Sequence, residues 1–224
     1  MNREEYFYQL LEIEPFYETE GIFFEPFWEF MYRFQSLQRH WQLSKGFIQN
    51  HISILKSVKG DSSAEFDYIF SETAQVDIEY FPEYLRLSTL SFSLSLVENF
   101  LGSLSEEVAN DLGIKLEFEN KKLPYINKYI LWLTRGCGID INIDSEMWKS
   151  VDAIREIRNR FTHRINRDIP DDVKKMISEM VSLAVEDEKA ITDDFVDMAL
   201  MKLAKLVKTI ELAYIEFYEK TKNG

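Results

Sequence analysis

One cysteine, Cys137, stands in a chain of 224 residues, so no internal disulfide can form. That absence fits a reducing compartment, and a cytoplasmic protein is the expectation. Cys137 lies in Arg135-Gly136-Cys137-Gly138, which reads as a turn between helices. A thiol nucleophile needs a base, and no histidine is near it in sequence. Glycine and proline are also scarce, at 8 and 5 residues. Their shortage disfavours a turn-rich β fold and favours long helices. No apolar run approaches the roughly 20 residues of a membrane span. The start, Met1-Asn2-Arg3-Glu4-Glu5-Tyr6, lacks the basic-then-apolar pattern of a secretory leader. Positive charge is short too: 26 Lys and Arg face 39 Asp and Glu, for a net charge of −13. Phosphate neutralisation dominates general nucleic-acid binding, so this balance argues against a non-specific coat protein. It leaves room for a small basic site in an acidic surround.

What the chain does have is apolar mass, 46% of residues, enough for one sizeable core. Aromatics make up 14%, and many lie in the first third. Three- and four-residue spacing of apolar side chains predicts a long helix over 27–58, through Phe27, Phe30, Phe34, Leu37, Trp41, Ile48, Ile52 and Leu55. His40 and His51 fall in it, near one face, with no third ligand in view; no metal site is expected. A short helix over 3–13 precedes it. Residues 61–82, polar and acidic and ending at Pro82, read as a connection. This gives two parts: an aromatic-rich N-terminal helical extension, 1–82, packed on a body formed by 83–224.

The body reads as an antiparallel helical bundle, all-α. A central helix over 83–112 carries Leu87, Leu90, Leu94, Val97, Leu101, Leu104 and Val108 as a stripe, widened by Phe92, Leu96 and Phe100. Its other face aligns Ser91, Ser95, Glu98, Gly102 and Ser105, either a solvated strip or a contact face with a carboxylate in it. A short helix is expected over 124–135, and Ile139–Asp144 alternates like a strand with no partner strand, hence an extended loop. Asp144 or Ser145 caps a helix running to about 166. Further helices follow over 170–185 and, capped by Thr192-Asp193-Asp194, over 193–220.

The helix from 145 carries the most informative stretch. Residues 155–167 hold five arginines and a single acid, Glu156, in an otherwise acidic chain. At about 100° per residue, Val151, Ile154, Ile157, Phe161 and Ile165 form the core arc. Arg160, Arg164 and Arg167 gather on another side. Arg155, Asn159 and His163 follow at i, i+4, i+8 along a third. Arg158 falls at the edge of the apolar arc, where an unpaired charge is costly. Its partner is Glu98, a second subunit or a phosphate. Arg158 and His163 lie about 140° apart, so they can flank a groove without touching. Histidine titrates near neutral pH and serves as general acid or base. Arginine neutralises charge gathering on a phosphorane. With the RNA 2′-hydroxyl as nucleophile, such a set suits RNA cleavage without metal or cofactor. A structural polar network uses the same residue types.

Arg158-Asn159-Arg160-Phe161-Thr162-His163 resembles the Arg-Asn-x-x-x-His motif of the HEPN superfamily. The context is similar as well: a long apolar helix with Leu96-Val97-Glu98-Asn99-Phe100-Leu101, a variable middle, the motif late in a capped helix, then a C-terminal helix. The resemblance covers about 83–220. It implies a homodimer with facing motif helices and a metal-independent endoribonuclease cleft, in a stress, toxin or phage-defence setting. Arg158, Asn159 and His163 would then be catalytic, with Arg155, Arg160, Arg164 and Glu98 around the substrate. It also implies a cognate antitoxin or a nucleotidyltransferase as partner, and no membrane. The alternative it leaves open is a non-catalytic interaction or nucleotide-binding module.

Overall fold

The computed structural model describes residues 13–20, 24–57, 64–163, 171–172, 175, 178–179 and 191–223. All but the last residue of the helix expected over 3–13 lies outside these residues, as does most of the one expected over 170–185. The fold is all-α, and no strand occurs among the described residues. Helix α1 spans Glu25–Ser57, α2 Ala64–Leu112, α3 Tyr125–Leu131, α4 Ser145–His163 and α5 Asp193–Asn223. A wider π-helical turn, Trp132–Gly136, continues α3.

Contacts between the helices fix their directions. Phe27 and Phe30 meet Phe100, with ring centroids 5.1 and 5.2 Å apart, whereas His51 meets Asp77 at 3.8 Å. As α1 advances, its partners on α2 recede, so the two are antiparallel. By the same test α1 is antiparallel to α5: Phe27 packs on Tyr214, while Trp41 and Lys45 bond Asp197. Helices α2 and α5 therefore run the same way. The Arg86–Asp193 ion pair, at 2.6 Å, joins them near the start of α5.

The core lies where the apolar spacing puts it. Leu90, Leu94, Val97, Leu101, Leu104 and Val108 on α2 are buried, as are Val196, Ala199, Leu200, Leu203, Leu206, Val207 and Ile210 on α5. Each fully buried aliphatic side chain is worth roughly 1.5–3 kcal/mol against an exposed one. Phe27, Phe30, Phe34 and Trp41 of α1 belong to this same cluster, together with Tyr17. The segments before and after residue 82 thus share one continuous core. Phe92 departs from expectation: it is exposed, because the partners of α2 cover a narrower arc than its apolar side chains span.

The connection expected over 61–82 is helical from Ala64, and Pro82 lies inside α2, a helix of 49 residues. Proline removes one backbone donor and crowds the preceding turn, which is why the segment reads as a break. Contacts from α1 brace the turn that leads into Pro82. His51 stacks on Phe81 with centroids 5.9 Å apart and faces Asp77 one turn earlier. The alternating segment after the π turn is a loop, as expected, but a bond from the Ile141 amide to the Ile139 carbonyl at 2.9 Å turns it at Asp140, and Ile139 and Ile141 drop into the core. Gly138 starts it at φ +77°, a conformation glycine adopts without the Cβ penalty.

Pro82→Ala restores the missing donor in a half-buried helical position. The variant is expected to be more stable, by about 1–3 kcal/mol, read as a rise in the thermal midpoint of helical circular dichroism.

Candidate functional site

Helix α4 begins at Asp144, whose carboxylate accepts the Met147 amide at 2.7 Å while its carbonyl accepts from Trp148 at 3.1 Å. This settles the choice between Asp144 and Ser145 as cap. Glu146 in the first turn suits the helix dipole and pairs with Lys202 of α5 at 2.9 Å. Val151, Ile154 and Ile157 are buried, which fixes the rotation of α4 on the body. The helix is regular through His163.

That rotation sets Arg158 at the edge of the interface with α2. Its guanidinium lies 3.8 Å from the Glu98 carboxylate. Both side chains are about a quarter exposed, 24% and 26%. Of the partners open to Arg158 in the sequence, the carboxylate on the preceding long helix is in place. At this separation and exposure the pair is a modest electrostatic tie, strengthened by keeping a half-buried cation compensated. Arg155 is also half-buried and reaches two acids of its own helix, Asp152 at 3.4 Å and Glu156 at 4.0 Å. Asn159 is half-buried on the same side. The side chains of Arg160 and His163, and all of Arg164 and Arg167, lie outside the described residues.

The small-residue face of α2 divides along its length. Ser105 is buried and Gly102 lies against Tyr129 of α3, where an added Cβ would stand 3.4 Å from the phenol oxygen. Ser95 is exposed. Glu98 sits at the division. It also lines a groove of about 410 Å³ with Glu29, Arg33, Asn99, Glu106 and Tyr129. Arg33 is bonded to Glu29 at 2.5 Å, so the groove's cation is already answered by one of its three carboxylates. Such a lining repels phosphate.

Among the described residues no group of three or more His, Cys, Asp or Glu is placed to hold a metal ion. His40 lies 3.5 Å from Ser44, and His51 faces Asp77. No helix among the described residues is long and apolar enough to cross a membrane. Burial pushes the Cys137 thiol up to about 11.

Two buried polar side chains escape the helix-wheel reading of the sequence: Gln38 on α1 and Glu211 on α5. Both are buried, at 2% and 1% exposure, and both bond the irregular segment 13–20. The signal was a polar residue standing on an apolar stripe, between Phe34 and Trp41 and between Val207 and Tyr214.

Comparison of the chain with protein-family models, with curated proteins and with solved structures finds no match.

Two measurements check this geometry. A double-mutant cycle on Glu98→Ala and Arg158→Ala, followed by denaturant unfolding, is expected to return a coupling of about 0.5–1 kcal/mol; zero coupling removes the tie. With its thiol near 11, Cys137 presents a thiolate fraction of about one in a thousand at pH 8. Alkylation of the folded protein should accordingly be slow at pH 8 and climb steeply toward pH 11, unlike that of the unfolded chain.

Proposed function

We propose that this chain is a metal-independent endoribonuclease of the HEPN type. It acts as a homodimer in which the ends of two α4 helices share a cleft. One observation carries the reading most directly: Arg158 is drawn to the α2 edge by Glu98, at the start of an Arg-Asn-x-x-x-His turn that is helical throughout. The arginine is thus given a direction before any substrate arrives, the kind of preorganisation that favours charge stabilisation in a transition state.

The chemistry needs only the substrate's own nucleophile. The His163 imidazole takes the proton of an RNA 2′-hydroxyl, whose oxygen then attacks the adjacent phosphorus. Arg158 offsets the charge that gathers on the phosphorane oxygens. The bond from phosphorus to the 5′-oxygen breaks, and that oxygen takes a proton from the second imidazole of the dimer. The products are a 2′,3′-cyclic phosphate and a free 5′-hydroxyl. Asn159, one turn before His163 on the same face, orients the ring. Arg155, Arg160 and Arg164 add positive charge along the helix and hold the RNA backbone. A net charge of −13 over the whole chain keeps unrelated polyanions away. The setting is a toxin or defence response, with an antitoxin or nucleotidyltransferase as cognate partner.

The second reading is a non-catalytic interaction or nucleotide-binding module. It is favoured by the acids that already face Arg155 and Arg158. There the motif supports association or holds a small anion, and activity is absent.

His163→Ala is expected to lower RNA cleavage by about 10²–10⁴-fold, the usual share of an acid–base group, with helical content and dimer unchanged. The test is gel analysis of labelled RNAs of varied sequence at dimer-favouring concentrations, with and without EDTA. If the wild-type protein leaves all of them intact, the nuclease reading is lost and the binding module stands.

A further inference from the structure

We propose that α1 and α5 form a peptide-recognition groove, that residues 13–20 occupy it as a detachable strap, and that in trans it takes an extended acidic peptide anchored by a tyrosine. The groove shares no residue with the Arg158 region and stands whether or not the chain cleaves RNA.

Residues 13–20, Ile13-Glu14-Pro15-Phe16-Tyr17-Glu18-Thr19-Glu20, have no regular secondary structure. Their backbone groups are satisfied by side chains of the two helices instead. Gln38 grips the strap with both ends of its amide: Oε1 accepts from the Phe16 amide at 2.9 Å, and Nε2 donates to the Glu14 carbonyl at 2.7 Å. One glutamine thereby does what a neighbouring β-strand would do. Gln35 donates to the Tyr17 carbonyl at 3.1 Å, and Lys208 to the Glu18 carbonyl at 2.9 Å. The Glu20 amide donates to Glu211 at 3.0 Å. Recognition through the backbone requires an extended chain and tolerates many side chains.

Specificity comes from the other bonds to Glu211. The Tyr17 hydroxyl donates to this carboxylate at 3.1 Å and the Thr19 hydroxyl at 2.5 Å. Lys208 completes the set at 3.1 Å. Three of these four donors belong to the strap, so a carboxylate 1% exposed depends on the peptide for most of its compensation. A ligand must therefore bring a tyrosine and, two residues on, a second hydroxyl. The Tyr17 ring is buried edge-on against Phe30, centroids 5.2 Å apart, which supplies the apolar anchor. Lys208 also pairs with Glu20 at 2.6 Å, which favours an acid at the far end. Pro15 restricts the backbone toward extended conformations and lowers the ordering cost.

A matching peptide can take the strap's place without breaking a helix. None of the backbone bonds named above belongs to a helix, so its release keeps the ladders of α1 and α5 whole. Its hydrogen bonds and the buried Tyr17 ring are replaced only by a peptide that brings the same groups.

The test places a protease site at residues 21–23 of the full chain, cleaves it, and adds a labelled synthetic peptide spanning 11–22. The added peptide is expected to exchange with the nicked segment, and a peptide carrying Tyr17→Ala to compete at least tenfold more weakly. A nicked segment that no excess of peptide displaces would overturn the proposal, as would equal competition by the alanine peptide or loss of helical signal on cleavage. In the intact chain, Gln38→Ala should speed hydrogen exchange at the Phe16 and Glu20 amides at least tenfold while leaving buried α5 amides unchanged. A uniform acceleration would show that the strap is part of the core and would sink the idea.

Discussion

A polar group taken out of water must find a partner, and in this protein that requirement decides what lies next to what. Glu211, Gln38 and Arg158 each stand on or beside an apolar helix face. An uncompensated carboxylate at the first position would cost several kcal/mol. Tyr17, Thr19, Glu20 and Lys208 meet it there, and the first three lie more than 190 positions away in sequence. Gln38 binds a segment 22–24 residues before it, and Arg158 is drawn to α2 by Glu98. Apolar burial supplies the bulk of the stability, but it is nearly indifferent to register. The polar pairs fix which turn of one helix faces which turn of another.

Much of this was legible in the chain itself. Spacing of Leu, Val and Phe located α1, the latter half of α2, and α5, because a buried face must recur with the helical period. The caps at Asp144 and Thr192 followed from their side chains, which accept the Met147 and Phe195 amides. Glu98 stood among the partners open to Arg158 because the wheel placed an arginine where it needed one. Pro82 misled, since its local penalty is plain in sequence while the compensating contacts of His51 come from a helix some thirty residues away. Phe92 misled in the opposite sense: an apolar residue on the right arc still needs something to cover it. Gln38 and Glu211 obeyed the same logic as Arg158, and a polar residue on an apolar stripe marks all three. Their partner, however, is an irregular segment, and irregular backbone leaves no period to read.

The same balance of charges frames the candidate cleft. Acids outnumber bases across the chain, and two cations of α4, Arg155 and Arg158, face carboxylates already. A phosphate that binds beside Arg158 must compete with Glu98, so weak or misplaced anions gain little. On the proposed ribonuclease reading, a polyanion that touches several arginines at once overcomes this competition where a small anion does not.

The distribution of buried side chains along the hairpin of α1 and α2 has a mechanical consequence. Beyond Trp41 no described side chain of α1 is buried, and on α2 the described positions before Thr89 bury only Ala74. Each helix thus carries one end inside the bundle and one end beside a single neighbour. Opening the outer end exposes little apolar area, so its free energy of local unfolding is small compared with that of the whole. The molecule is therefore graded along its length, anchored by aromatic rings at one end and held at the other mainly by helix-on-helix contact. Force or a protease acting on it would meet a soft tip first and a stiff base afterwards.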